Sequence, residues 1–300
     1  MSDHVMTLIA AEAGGPLSPG LIAELRQALH RLGADVAPPS WLKPDFVCDL
    51  DFTDLNDDQA DAAARQLLGA LPVDVVVQAK AERRKRLLVA DMESTIIRNE
   101  MLDELADFVG ARAEIAAITA RAMNGELDFE QAIEARVALL AGLPESVLEE
   151  AATRIEMMPG AASLIATMRA QGARTVLVSG GFRCFTRRIA AALGIDAEFG
   201  NELEIADGRL TGRVIKPILG RQAKFDTLVR EAAGQGLPLA ATLAVGDGAN
   251  DLDMILAAGL GIAFHAKPIV ASRAKCRIEH GDLTALLYAQ GYQAHEILAA

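Results

Sequence analysis

Three apolar runs, set far apart in the chain, end in the same way. Leu87-Leu88-Val89-Ala90, Thr175-Val176-Leu177-Val178 and the stretch from Ala241 to Val245 contain no Gly or Pro, and each stops abruptly at acidic, hydroxyl or glycine residues. Continuous apolar runs of about four to eight residues read as strands buried on both faces, as in a parallel sheet. Leu260 to Phe264 predicts a fourth such strand, and Ala161 to Gln171, closed by Gly172, a helix between the first two. After Thr95 the period lengthens to that of a helix. Met101, Leu102, Leu105, Phe108 and Val109 share one face of a segment from Asn99 to Val109, and Gly110 stops it. Further amphipathic segments cover about 112–123, 128–140 and 144–155, parted by Asn124-Gly125 and Ala141-Gly142. Four short helices inserted after the first strand predict a cap over about 99–157, placed to exclude water and choose a substrate. Phe199 to Val214 predicts a hairpin turning at Asp207-Gly208.

The first 80 residues follow another pattern. A strand at Thr7–Ala10 leads to Ser18-Pro19, an N-cap followed by proline at the first helical position. Leu21, Ile22, Leu25, Leu29 and Leu32 then fall on one helical face, ended by Gly33. Strands near 35–41, at 46–50 and at 73–77, with a helix over 57–68, complete a β-α-β-β-α-β order. That order is ferredoxin-like and resembles the ACT-type domains, which bind amino acids or pair with one another. The resemblance implies a ligand-sensing unit or a homodimer contact; a plain packing module has the same pattern. Lys80 to Arg86 is strongly basic and reads as a solvated linker, which sets the domains at 1–80 and 86–300.

Composition narrows the function classes. A formal net charge of −12 argues against nucleic acid, whose phosphates call for a basic face. A small anionic substrate stays open, because a local basic pocket can override the global field. Cys48, Cys184 and Cys276 lie too far apart for a metal motif or a disulfide framework, as expected of reduced thiols in the cytoplasm. No signal peptide or membrane span is expected.

Chemistry gathers at the strand ends, where ligands of open α/β sheets bind. The first strand runs into Asp91-Met92-Glu93-Ser94-Thr95, the second into Ser179-Gly180-Gly181-Phe182, the third into Gly246-Asp247-Gly248-Ala249-Asn250-Asp251. A hydroxyl beside two glycines at a strand-to-helix junction suits a phosphate, because backbone N–H groups can approach it. Acids and amides beside glycines suit Mg²⁺, which takes few protein carboxylates. Lys224 and His265 have no role on spacing alone; a histidine without a sequence partner reads as structural.

In order and spacing these segments, with Lys224 and Ala266-Lys267-Pro268, resemble the haloacid dehalogenase-like phosphatases, and within them the phosphoserine phosphatase branch. The resemblance runs from Arg86 to about Leu286 and implies a doubly wound α/β domain with a helical cap. It implies Asp91 as the nucleophile and Mg²⁺ held by Asp91, Asp247 and the backbone carbonyl of Glu93. It gives Ser179, Gly180 and Lys224 to the phosphate, with Asn250 and Asp251 orienting them. Glu93 holds the place of the proton donor and acceptor. The family pattern has Asp there; Glu is one methylene longer and supplies the same carboxyl group. Glu100 matches the position that receives a substrate ammonium, and Arg136 the one that clamps a substrate carboxylate. Met123 and Phe129 match apolar positions that close over the substrate. Together these imply hydrolysis of O-phospho-L-serine to L-serine and phosphate, the last step of serine biosynthesis. A related small-metabolite phosphatase or phosphotransferase, or a weakly catalytic amino-acid-sensing regulator, are the alternatives.

Overall fold

The computed structural model describes residues 3–123 and 126–299, the side chain of Met123 excepted. The predicted break at Asn124-Gly125 lies outside the described residues. In chain order the elements of the front part are β1 (His4–Ala10), α1 (Pro19–Arg31), β2 (Asp35–Val36), β3 (Ser40–Lys43), β4 (Val47–Thr53), α2 (Asp57–Leu68) and β5 (Val73–Ala79). There follow β6 (Leu87–Ala90), α3 (Met101–Asp107), α4 (Arg112–Met123), α5 (Phe129–Ala138), α6 (Ser146–Ala152), α7 (Ala161–Ala170), β7 (Arg174–Phe182) and α8 (Arg183–Leu193). The remainder is β8 (Ala197–Ala206), β9 (Arg209–Ile215), α9 (Arg221–Gly234), β10 (Thr242–Gly246), α10 (Leu252–Ala257), β11 (Leu260–Phe264), α11 (Pro268–Ala271), β12 (Cys276–Ile278) and α12 (Ala285–Ala289).

The front strands form an antiparallel sheet of order β2-β4-β1-β5, with β3 also paired to β4. The single strand predicted near 35–41 is two pieces, because Pro38-Pro39 between them supplies no N–H to a ladder. Ser18 caps α1 as predicted, its Oγ accepting the Leu21 N–H at 3.1 Å. Ile22, Leu25 and Leu29 of α1 and Ala60, Ala64 and Leu68 of α2 bury against Met6, Leu8, Leu50 and Phe52 on one face of this sheet. The other face is also covered. Ile9, Leu42, Val47 and Val76 join the core that contains Leu287 and Tyr288 of α12.

The stretch expected as a solvated linker is exposed at Lys80, Ala81, Glu82, Arg84 and Arg86, but Arg83 and Lys85 turn inward and make a polar joint. Arg83 pairs with Asp49 at 2.6 Å and donates to the backbone oxygens of Ala289 at 2.8 Å and Tyr288 at 3.2 Å. Lys85 is buried, its ammonium donating to the carbonyls of Glu82 at 2.8 Å and Ala240 at 2.9 Å. Apart from the Glu82 carbonyl, the partners that make these charges internal lie far along the chain.

The second sheet has the order β12-β11-β10-β6-β7-β8-β9 and is parallel except for β9. β6 is its centre, and the continuous apolar run there has a simple cause. Leu87 and Val89 face a core with Leu228 of α9 and Ile255 of α10. Leu88 and Ala90 face the opposite core with Leu164 of α7 and Phe185 of α8. With both faces covered, no position alternates to polar. β12, only three residues long, and α12 went unpredicted. Helices α3 to α6 lie between β6 and β7, as expected, and α5 is held to the β8–β9 hairpin. Gly142 N–H donates to Leu210 O at 2.8 Å, and Leu210 N–H to Leu143 O at 2.9 Å. The hairpin turns at Asp207 (φ 49°) and Gly208 (φ 69°), the conformation an Asp-Gly turn favours. Among the described residues no helix is long and apolar enough to cross a membrane, and the three cysteines are free.

Candidate active site

Parallel pairing of β10, β6 and β7 puts their carboxyl ends side by side. Ala90 stands opposite Val245 on one side and Leu177 on the other. The next residue of β6 is Asp91, buried at 5% exposure, its N–H held by Val245 O at 3.0 Å. Its Oδ1 lies 2.6 Å from Lys224 Nζ, and the same ammonium lies 2.5 Å from Asp251 Oδ1. Lys224 reaches in from the first turns of α9 and is 1% exposed. Burial alone would lower the pKa of this ammonium; the carboxylates of Asp251 and Asp91 outweigh that and raise it. Asp251 is fully buried, and its Oδ2 accepts the Gly248 N–H at 3.0 Å.

Asp91, Asp247 and Asp251 each present a carboxylate oxygen, all within 4.8 Å of one another. Burial is the main reason the carboxyls of Asp91 and Asp247 are pushed above the ordinary aspartate range, with Asp251 adding to both and Lys224 opposing. With all three carboxylates ionised against one buried ammonium, the formal charge of the cluster is −2. Hard oxygen donors carrying that excess fit a divalent cation such as Mg²⁺. Lys267, more exposed, sits at the rim with Nζ 3.4 Å from Asp247 Oδ2.

The β7 end has a different character. Its ladder to β8 is interrupted between Val178 and Phe182, so Ser179, Gly180 and Gly181 stand outside regular pairing. Ser179 is buried, and its Oγ accepts the Gly181 N–H at 2.8 Å, which leaves the hydroxyl proton to donate. Asn201 was missed by the sequence reading. It is buried in β8, where its Nδ2 donates to Gly180 O at 2.8 Å while its Oδ1 accepts the Leu219 N–H at 2.6 Å. This one amide ties the glycine loop to the segment leading to Lys224. A polar residue inside an otherwise strand-like stretch was the available signal.

Glu93 is half-buried, and its Oε1 accepts the Met101 N–H at the start of α3 at 2.8 Å. Burial, and next the Glu100 carboxylate, push its carboxyl up to about 7, against the pull of the Met101 N–H, Lys224 and Arg136. Glu100 is the N-cap position of α3 and accepts from Ser94 Oγ at 2.8 Å. Ser94 holds a left-handed φ of 56°. Backbone strain of this kind persists only where the surroundings impose it. Arg136, half-buried on α5, spends its Nε on Ala132 O at 3.1 Å; its other guanidinium nitrogens make no hydrogen bond among the described residues. Both Glu93 and Glu100 act on its charge. Phe129, the first residue of α5, packs on the bare backbones of Gly180 and Gly220.

Among the predicted residues, Asp91, Lys224, Asp247 and Asp251 form one buried cluster, Glu93, Glu100 and Arg136 act on one another's charge, and Phe129 packs on Gly180. Asn250 lies over Gly248 and makes no hydrogen bond to Lys224 among the described residues. The Met123 side chain falls outside the described residues. His265 proves structural, its Nε2 lying 2.8 Å from Gly281 O.

Comparison with known proteins agrees with this architecture. The model of the haloacid dehalogenase-like hydrolases matches residues 88–256. The phosphoserine phosphatase SerB2 of Mycobacterium tuberculosis is 47% identical over 230 residues, 76% of this chain. The chain spans 56% of that relative's length. A haloacid dehalogenase-family hydrolase of Salmonella enterica serovar Typhi superposes over 95% of this chain and 98% of its own, with a TM-score of 0.82 and 28% identity. A phosphoserine phosphatase solved as a phospho-aspartyl intermediate analogue covers 68% of this chain and 98% of its own, at 42% identity and a TM-score of 0.64. The chain belongs to the haloacid dehalogenase-like hydrolases.

Proposed function

We propose that the chain is a cytoplasmic phosphoserine phosphatase that releases L-serine and phosphate from O-phospho-L-serine, the last step of serine biosynthesis. The observation that carries this reading is the grouping of Glu93, two residues along from Asp91, with Glu100 and Arg136, which act on one another's charge. The Arg136 guanidinium, whose two terminal nitrogens make no hydrogen bond among the described residues, and the Glu100 carboxylate flank the carboxyl group two residues from the candidate nucleophile. One anion partner and one cation partner describe an amino-acid zwitterion.

Asp91 attacks phosphorus in line, and the P–O bond to serine breaks as the aspartyl-phosphate forms. The departing oxygen takes its proton from Glu93, which at a pKa of about 7 still holds one near neutral pH. Glu93, now ionised, then takes a proton from the water that attacks phosphorus, and Asp91 is freed as phosphate leaves. Ser179 Oγ–H, the Gly180 N–H and Lys224 hold the non-bridging oxygens. Asp91, Asp247 and the Glu93 carbonyl would hold Mg²⁺, which would supply charge neutralisation at the phosphate. Asn250 and Asp251 orient these groups, Asp251 through Lys224. Phe129 closes the insertion over the substrate, which makes α3 to α6 a four-helix cap over about 99–157. The longer Glu93 is accommodated by the Met101 N–H and the bare Gly181, which supports an active enzyme despite the departure from Asp.

The front unit, 1–80, is read as ACT-like, preceding a phosphatase domain at 86–300; a homodimer through it belongs to the same proposal. The test is purified protein with Mg²⁺ and phosphoserine, without an acceptor alcohol. Release of free phosphate is expected and excludes obligatory transfer. In Asp91→Asn, turnover and acid-stable labelling from ³²P-phosphoserine should both vanish. No turnover by the wild-type chain would defeat the proposal.

A further inference from the structure

Asp74, near the start of β5, is a front-sheet residue only 3% exposed. Its carboxylate accepts from three successive backbone N–H groups of the loop after β12. Glu279 donates to Oδ1 at 2.7 Å, His280 to both oxygens at 3.2 Å, and Gly281 to Oδ2 at 2.7 Å. Successive N–H groups around one anion form a nest, and here every bond crosses from one sheet to the other. The loop is fixed in turn to the strand beside the active site. Gly281 O lies 2.8 Å from His265 Nε2. His265 also stacks on Phe264 at 4.1 Å and holds a left-handed φ of 44°. Two residues further, the Lys267 N–H donates to Asp247 O at 3.0 Å.

We propose that Asp74 is a positioning residue for Asp247, acting through the 279–281 loop and His265. The inference rests on the reading of Asp247 as a cation ligand and deepens it. A ligand already held in place loses less freedom when the cation binds. Groups that orient metal ligands typically matter about 10–100-fold in affinity. Loosening the 265–267 segment also moves the Lys267 ammonium, but that group is largely exposed and its repulsion is screened. The backbone anchor therefore decides the sign, and its loss weakens binding.

Mg²⁺ titration calorimetry on the full chain, without substrate, tests this. In Asp74→Asn one oxygen becomes an NH₂ that faces the nest's own donors. In His265→Asn the left-handed backbone is tolerated but the side chain no longer reaches Gly281. About tenfold weaker Mg²⁺ binding is expected in each, and no further loss in the double variant, because both cut one route. Gln78→Ala is the control. Gln78 donates to Ala289 O at 2.7 Å across the same joint, away from Asp247, so it should lower the melting temperature and leave Mg²⁺ affinity unchanged. Wild-type affinity in both single variants, full additivity in the double, or equal weakening in Gln78→Ala would each overturn the inference. If Asp74→Asn does not fold, His265→Asn, altered at an exposed side chain, carries the same expectation alone. Absence of Mg²⁺ binding by the wild-type chain would instead sink the reading of Asp247 as a ligand.

Discussion

Gly181 faces Glu93 so closely that a Cβ built on it would lie 2.7 Å from Glu93 Oε2. The far end of a flexible side chain can move aside, so Gly181→Ala should fold nearly as well as the parent. The displaced carboxyl, however, loses its reach to the leaving oxygen. We expect kcat to fall on the order of 100-fold with KM little changed, the scale of a lost general acid. Glu93→Asp, one methylene shorter, should restore activity in the Gly181→Ala background and retain turnover alone. Steady-state kinetics of the four proteins check this; no rescue in the double variant would remove steric conflict as the cause.

The raised carboxyl of Glu93 sets a pH dependence. Leaving-group protonation needs its acid form, so kcat/KM should decline as pH rises through about 7. Glu100 raises that pKa by repulsion, so Glu100→Gln should move the alkaline limb to lower pH. Arg136 acts in the opposite sense, and its removal should move the limb to higher pH. The readout is the position of the limb rather than the height of the profile.

Lys224 is the only ammonium within hydrogen-bond distance of both Asp91 and Asp251 among the described residues. Lys224→Met leaves two buried carboxylates without their cation. Breaking a buried pair on one side costs about 3–5 kcal/mol. Calorimetric melting should show a loss of that order in metal-free protein, and Mg²⁺ should recover part of it. An unchanged melting temperature would mean that the cluster is not ionised as described.

The free guanidinium nitrogens of Arg136 make a selective prediction. Arg136→Ala should raise KM for phosphoserine about 100-fold, on the scale of a charge-assisted bidentate contact, while KM for an aryl phosphate stays within about twofold. Equal effects on both substrates would take Arg136 out of carboxylate recognition.

How far the residues foretold this arrangement depended on where each one's partners lay. The strands bearing Asp91, Ser179 and Asp247 were legible because both faces of the sheet are covered, so their apolar runs are unbroken. The helix at Asp57–Leu68 was legible because its period and its stop at Gly69 are local. Pro38-Pro39 hid the split of one strand into two, since a proline break reads equally as a loop. Arg83 was misread because its partners, Asp49 and the carbonyls of Tyr288 and Ala289, are 34 to 206 residues away. Lys224 carries no local signal at all; it gained a place only from the order of the motifs around it.

That joint bears on how the chain is made. Arg83 finishes the front sheet's second face with a carbonyl 206 residues further on. At ribosomal rates of roughly 5–20 residues per second, about 10–40 s separate the emergence of the two partners. For that interval Ile9, Val47 and Val76 have no helix to lie against and present an apolar surface to solvent. Chaperone demand during synthesis, and the solubility of fragments cut before residue 285, should therefore be governed by the front sheet, even though its own helices are complete early.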